Sequence, residues 1–507
     1  MLLMAALFLS VSSIAQDGES PISYKSLAIQ TSIQNSNGDA SSAATTSVSS
    51  FNGFGSFIDN PAVMALADGS FYTIGWINQS NKQTNGYLGT LNTSEFSNTT
   101  FSNLGLVYKV PTERGSFVLG GGYNLISKNS DEVFLDAFNS GNTITDLFKQ
   151  ADSDYNGIAF DAFATNFRND MSDEIESIFR VDDRANGFQG IDQFADISNH
   201  KTIGEISVFA STEIQKNLFV GLSLGLLTGT VRYDRNFEEV DSEDIYSDDV
   251  IPADGGNPAT DIFSVKLTDD INTDFYAFLG RGGVIFKPYS FLNLGASITL
   301  PSRMFITENY FSNIDTELDD FTAFLDNSFS GEFDYSVTRP AEFKIGASLV
   351  NLSGFSLSAS AEYIDYGSTK IDLTLNSVTG DLSPSDIALL AEDESLTNGA
   401  IESDFLAVIN FRSHASYVLS NGVKLTAGYA LYPGKEKTFQ FDQSVYSGAV
   451  SFPISPQISL DISGQYLSQS DRSIVYEFEN DLNQLIQNSI SKDIERINII
   501  AGVKFHF

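Results

Sequence analysis

The last eleven residues, Ile497 to Phe507, put an apolar side chain at every odd position, with Asn498, Gly502, Lys504 and His506 among the even ones. A period of two sets one face of an extended strand in an apolar medium and the other against something polar. The same pattern recurs in pairs. Phe343, Ile345, Ala347 and Leu349 alternate with Glu342, Lys344, Gly346 and Ser348. After Asn351-Leu-Ser-Gly354 the chain returns with Phe355, Leu357, Ala359, Ala361 and Tyr363 against Ser356, Ser358, Ser360 and Glu362. A second pair carries Phe405, Ala407, Ile409 and Phe411 on one face, turns at Ser420-Asn421-Gly422 and comes back with Val423, Leu425, Ala427 and Tyr429. Asn-Gly is a strong hairpin signal because both residues tolerate positive φ.

The pattern predicts about fourteen strands, near 70–80, 101–110, 115–126, 203–213, 216–233, 272–287, 290–308, 332–350, 354–372, 404–419, 422–438, 440–452, 457–470 and 497–507. Short connections fall at 111–114, 214–216, 288–289, 351–353, 420–422 and 453–456. Long ones fall at 81–100, 127–202, 234–271, 309–331, 373–403 and 471–496. Turns at one end and loops at the other are the layout of a transmembrane antiparallel β-barrel of the outer membrane, all-β, with both termini periplasmic. Ile144, Leu147, Phe148 and Ala151 share one helical face in the loop 127–202. With Phe134, Leu135 and Phe138 they are expected to form an apolar capture surface over the barrel mouth; packing of the loop on itself is the alternative. Leu482, Leu485, Ile486 and Ile490 predict a short helix in the last loop.

Residues Leu2 to Val11 form a short apolar stretch followed by Ser13-Ile14-Ala15, which predicts a signal peptide over 1–15 cut after Ala15. No later stretch has the ~18 consecutive apolar residues of a spanning helix. Residues 16–69 lack alternation but interleave Phe and Gly before Asn60-Pro61, as expected for an ordered plug, or hatch, ahead of a barrel over 70–507.

Composition narrows the function. The chain of 507 residues has 65 acidic and 28 basic side chains, a net charge of −37, 41 Phe, 20 Tyr and no Cys. Without Cys there is no disulfide, thiol nucleophile or Cys-held metal cluster. So negative a chain does not suit nucleic acid. The carboxylates from Asp234 to Asp274 lack the regular spacing of a calcium loop and read as solvated surface. Gly221-Leu-Ser223-Leu-Gly225 matches a nucleophile elbow, but within an alternating strand. His414-Ala-Ser416 shares its face with Asn410 and Arg412, which points to a lumen hydrogen-bond network rather than a phospholipase site. The three histidines have no metal-ligand spacing, and neither cofactor nor enzyme activity is expected.

Asn60-Pro61-Ala62, just before the first strand, resembles the NPA motif of the FadL/TodX family of outer-membrane transporters for hydrophobic compounds. Ala341 to Ser348 through Ala361 to Tyr366 is similar to that family's central hairpin, and Val423 to Pro433 to its Ala-Gly-Tyr strand. The resemblance runs from about residue 50 to 507, with the long acidic loops as a departure. It implies a fourteen-stranded barrel, an N-terminal hatch and passive movement of hydrophobic ligands such as long-chain fatty acids or hydrocarbons. It also implies a kinked third strand, which Gly120-Gly121-Gly122 would permit. The implied partners are a hydrophobic small molecule, outer-membrane lipid and the barrel-assembly machinery, through the strand ending in Phe507; a monomer is expected. The alternatives are a general polar-solute porin and a surface adhesin or scaffold barrel.

Overall fold

The computed structural model describes residues 38–507 apart from 46, 152, 170–172, 182–186, 248–249, 252–258, 320–323, 375–382, 439–440 and 481. The expected signal peptide and the expected hatch before residue 38 lie outside the described residues.

Fourteen antiparallel strands form the wall: β1 (Phe71–Tyr87), β2 (Thr90–Val110), β3 (Phe117–Asn139), β4 (Ile191–Gln215), β5 (Leu218–Val240) and β6 (Ile262–Tyr289). Next come β7 (Leu292–Thr299, continued by Ser302–Leu318), β8 (Phe324–Arg339, continued by Glu342–Leu352) and β9 (Phe355–Asp365, continued by Lys370–Asp372). The wall ends with β10 (Ala407–Val418), β11 (Lys424–Tyr432), β12 (Gln443–Ser455), β13 (Ile458–Glu479) and β14 (Leu485–His506). Pro301 and Pro340 sit at the interruptions of β7 and β8, where a residue without an N–H cannot extend a ladder. The last strand pairs with the first, from Phe71↔His506 to Gly86↔Ser491, and the sheet closes on itself. Among the described residues no helix is long and apolar enough to cross a membrane.

The alternation maps onto the two sides of this wall. On β14 Ile497, Ile499 and Phe505 are exposed, while Arg496, Asn498 and Ile500 are buried. The exposed apolar residues form a belt that begins at the short turns and covers about ten residues of each strand, the length that spans a bilayer at barrel tilt. Aromatic pairs edge it. Tyr72 stacks on Phe507 at 4.9 Å near the turn end, and Trp76, Phe101 and Tyr123 form a chain of ring contacts at the upper limit. Exposed aromatic side chains at both limits match the interfacial girdles of membrane barrels.

Several strands run far past the belt. β5 has 23 residues and β6 has 28. Beyond Leu226 the outward positions of β5 are Thr228, Thr230, Arg232, Asp234, Asn236 and Glu238. The barrel therefore projects roughly 30 Å above its apolar belt, at about 3.3 Å per residue and normal tilt. These extensions correct the expected loops. Residues 81–100 are a hairpin turning at Leu88 and Gly89, both at positive φ. Much of 127–202, 234–271, 309–331 and 471–496 is strand as well. The helix expected at 482–490 is instead the start of β14, paired with β13 from Glu479↔Leu485. Above the belt both faces meet water or polar loops, so the hydrophobic period fades while the hydrogen-bond ladder continues.

The long connection expected at 373–403 carries a helix. Pro384–Asp404 is an α-helix in which, among the described side chains, only Leu390 and Ile401 are deeply buried, three turns apart on one side. So narrow a stripe gives little periodic signal.

Candidate functional site

The described part of the segment before β1 consists of short helical turns, Ala40–Ala43, Phe54–Ile58 and Pro61–Leu66, and is almost wholly buried. Its bonds reach the wall on many sides. Gly38 N–H donates to Leu125 O on β3, Ser211 on β4 to Ala62 O, Asn293 on β7 to Ser49 O, Lys424 on β11 to Asn52 and Gln465 on β13 to Ala43 O. Only a segment inside the lumen can meet opposite staves of a closed barrel.

Asn60 is the knot of this packing. Its Oδ1 accepts from Ala62 N–H at 2.9 Å and caps the turn that Pro61 opens. Its Nδ2 donates to Val48 O at 2.7 Å and to Val284 O of β6 at 3.2 Å. The wall makes room for it: a Cβ at Gly221 would overlap the backbone of Pro61 and Ala62, and one at Gly283 would overlap the Asn60 side chain. Thus Asn60, Pro61 and Ala62 meet β5 and β6 where those strands carry no side chain.

Beside this segment lies a belt of buried charge. Arg412 Nη1 donates to Asp59 at 2.6 Å and its Nη2 to Glu362 at 2.5 Å. Lys344 lies 3.0 Å from Glu362 and 3.2 Å from Glu342, and Arg339 lies 3.4 Å from Glu342. Across the lumen Arg281 grips Glu205 with two bonds of 2.5 and 2.7 Å. Charges this deep persist because each is paired.

Apolar side chains pack both on the turn side of these ions and above them. One continuous core joins Phe54, Phe57, Val63 and Met64 of the luminal segment to Leu227, Phe275, Met304, Tyr335 and Val337 of the wall, reaching Leu390 of the long helix. A second apolar core lies at the loop end. Leu135, Leu147 and Phe148 are buried in it with Ile158, Phe179, Phe237 and Tyr246. Phe134 and Phe138 are not, for they occupy the outward face of β3 and are 54% and 51% exposed. The expected capture set is therefore divided: three residues form the underside of the loop, and two stand on its flank. The reason is the strand continuing to Asn139, which sends alternate side chains to opposite faces. Glu239, at the far end of β5 and well above the apolar belt, fastens this loop. It accepts from Ile144 N–H at 2.8 Å, Gln193 Nε2 at 2.6 Å and the Thr143 hydroxyl. Burial pushes its carboxyl up to about 7 against these donors.

The wall breaks between β2 and β3. They pair from Val110↔Phe117 to Asn103↔Asn124, whereas β2 pairs with β1 up to Thr90 and β3 with β4 up to Asn139. Gly120, Gly121 and Gly122 lie just below the parting, and a Cβ at Gly122 would overlap Leu104 O. Four residues on, the β3–β4 register slips between Leu125 and Ser127. Past the break β3 passes inside β1, whose side chains take over the missing ladder. Gln79 donates to Lys128 O at 2.9 Å, Asn81 to Ser130 O at 2.8 Å and Asn85 to Glu132 O at 3.3 Å. The upper half of β2 is left exposed or half-exposed at every position from Thr90 to Phe101.

No family model and no curated protein matches the chain. Solved structures do. It superposes on the Pseudomonas putida toluene transporter TodX with a TM-score of 0.51 at 12% identity, over 92% of this chain and 98% of that one. It superposes on a Pseudomonas aeruginosa FadL homologue with a TM-score of 0.53 at 11% identity, over 94% of this chain and 100% of that one. The chain has the FadL/TodX fold.

Asn410, Arg412, His414 and Ser416 all face inward and are buried. Ser223 lies inside the uninterrupted strand β5, and among the described residues no helix lies between it and β6. Among the described residues no three His, Asp or Glu side chains gather as a metal site. Asp59, Glu205, Arg281 and the amides of Gln79, Asn81 and Asn85 escaped sequence reasoning. Polar side chains recurring at alternate positions of β1 were the available signal.

Proposed function

We propose that this protein lies in the outer membrane and lets hydrophobic small molecules, such as long-chain fatty acids or hydrocarbons, cross without energy input. The observation that carries the reading is the apolar lining that runs from the luminal segment up the wall, inside a barrel parted between β2 and β3. Ligand is captured at the loop end when the apolar underside formed by Leu135, Leu147 and Phe148 lifts. It then follows the lining toward the charge belt. Residues 16–69 act as the hatch that closes the lumen, held by Asn60 and Asp59. Exit is by hatch movement or sideways at the β2–β3 parting, where Gly120, Gly121 and Gly122 give the strand freedom to bend. Sideways exit spares an apolar solute the transfer into water.

In this reading both termini are periplasmic, the terminal strand ending at Phe507 is read by the assembly machinery, lipid surrounds a single barrel, and the acidic extensions face outside. The buried charge belt favours one rival, a porin for polar solutes. Liposome swelling separates the two. Hydrophobic transport predicts negligible entry of small sugars through the wild-type protein and a rise when residues 17–69 are deleted; rapid sugar entry through the intact protein would favour the porin.

A further inference from the structure

Above the apolar belt, on the outer face of β3 to β8, the wall is hollowed. The hollow has a volume of about 670 Å³, within the range of small-molecule sites. Its origin is local. One row runs Gly204↔Thr228↔Tyr276↔Phe305 across four strands, and Tyr123 of β3 leans over Gly204. Small residues thus lie between Tyr123 on one side and the stacked pair Tyr276 and Phe305, 5.2 Å apart, on the other. The next row outward is Thr202↔Thr230↔Asp274↔Thr307↔Asp334. Asp274 accepts from Arg232 at 3.3 Å and Asp334 from Thr307 at 2.6 Å.

We propose that this hollow binds the neutral sugar headgroup of a glycolipid in the outer leaflet. The position fixes the source. The hollow opens outward at the upper girdle, and directly below it Ile206, Leu224 and Phe278 are 57%, 67% and 68% exposed, a track for acyl chains. The lining fixes the headgroup. Flat aromatic rings suit the C–H faces of a sugar, and two carboxylates with a row of threonine hydroxyls accept from its hydroxyl groups. Arg232 and Arg303, the latter over the Phe305 ring and paired with Asp372, face Asp274, Asp334 and Asp372, so carboxylates outnumber guanidiniums by one, which disfavours phosphate headgroups. The inference rests on the membrane location proposed above and not on what passes through the lumen.

The test is native mass spectrometry of the full chain released from tetraethylene glycol octyl ether micelles. The probes are monoglucosyl diacylglycerol, phosphatidylglycerol with the same acyl chains, and free maltose. The proposal expects at least fivefold greater retention of the glucolipid than of phosphatidylglycerol, and no maltose adduct. Both D274N/D334N and, separately, Y276A should bring glucolipid retention down to the phosphatidylglycerol level, with heat-modifiable gel migration showing both variants folded. Equal retention of the two lipids, unchanged retention in both variants, or maltose binding as strong as the glucolipid would overturn it. Transport assays on the same variants should be unchanged, so this proposal and the proposed function fail separately.

Discussion

Arg412 on β10 holds Asp59 of the luminal segment at 2.6 Å while its other nitrogen holds Glu362 of β9. The segment is thereby tied to the wall by a charge that already belongs to the wall. Without Asp59 the guanidinium keeps Glu362 but loses one charge-assisted bond, a loss of roughly 1.5–3 kcal/mol. Asp59→Ala should therefore loosen the segment without dissolving the barrel. Raised single-channel conductance in planar bilayers, with protease cleavage near residues 38–67, is the expected result. Wild-type conductance and protection would show that the pair does not hold the segment.

Asn60 and Gly221 test the same contact from its two sides. Asn60→Ala removes a cap and two bonds to backbone carbonyls, for a loss of about 2 kcal/mol. Gly221→Val overfills a position where even one added carbon overlaps the Pro61 and Ala62 backbone. Both variants should resemble Asp59→Ala in conductance, with Gly221→Val the more severe. A Gly221→Val protein as closed as the wild type would contradict the packing described.

The amide ladder of β1 makes a prediction about the wall break. Asn81→Leu keeps the approximate volume but leaves Ser130 O without its donor and Arg496 Nε without its acceptor, at a cost of about 1–3 kcal/mol for each. Hydrogen exchange in 125–132 should quicken several-fold while exchange in β10 to β12 stays unchanged. Uniform exchange across the barrel would mean the ladder does not support the break.

Glu239 predicts a pH dependence for the loop it fastens. Its carboxyl is raised from 4.5 to about 7, so the folded loop keeps a proton that the released loop gives up. Docking is therefore fully supported below pH 4.5 and weakens as pH rises through 7, by an amount on the order of 3 kcal/mol. Protease cleavage within 140–181 should be faster at pH 8 than at pH 5. Glu239→Gln, which cannot ionise, should remove most of that difference; an unchanged pH profile in the variant would assign the effect elsewhere.

How much of this was legible in the chain depends on what surrounds each residue. Wherever one face met apolar surroundings and the other the lumen, as in Ile497 to Phe507, the period of two marked the strand and its orientation. It failed from Asn81 to Thr100, where Ser, Thr and Asn occupy both faces and backbone ladders, not an apolar face, keep the strands extended. The motif Asn60-Pro61-Ala62 could be found from sequence, but its meaning lies in Gly221 and Gly283, which become its neighbours only when the barrel closes. The expected capture residues show the same limit. Phe134 and Leu135 are adjacent in sequence and fall on opposite sides of β3 because the strand continues past the apolar belt. The charge belt is spread over five strands and the luminal segment, so no local window contains it.

The central claim is that hydrophobic solutes cross through this barrel. Its most direct measurement is the initial rate of uptake of a labelled long-chain fatty acid, and of labelled toluene, by cells lacking the gene and by the same cells carrying it. The account predicts that the wild-type gene restores uptake of at least one of them severalfold, with no matching change in the entry of a small sugar. Uptake of both compounds at the same rate with and without the protein would contradict the account.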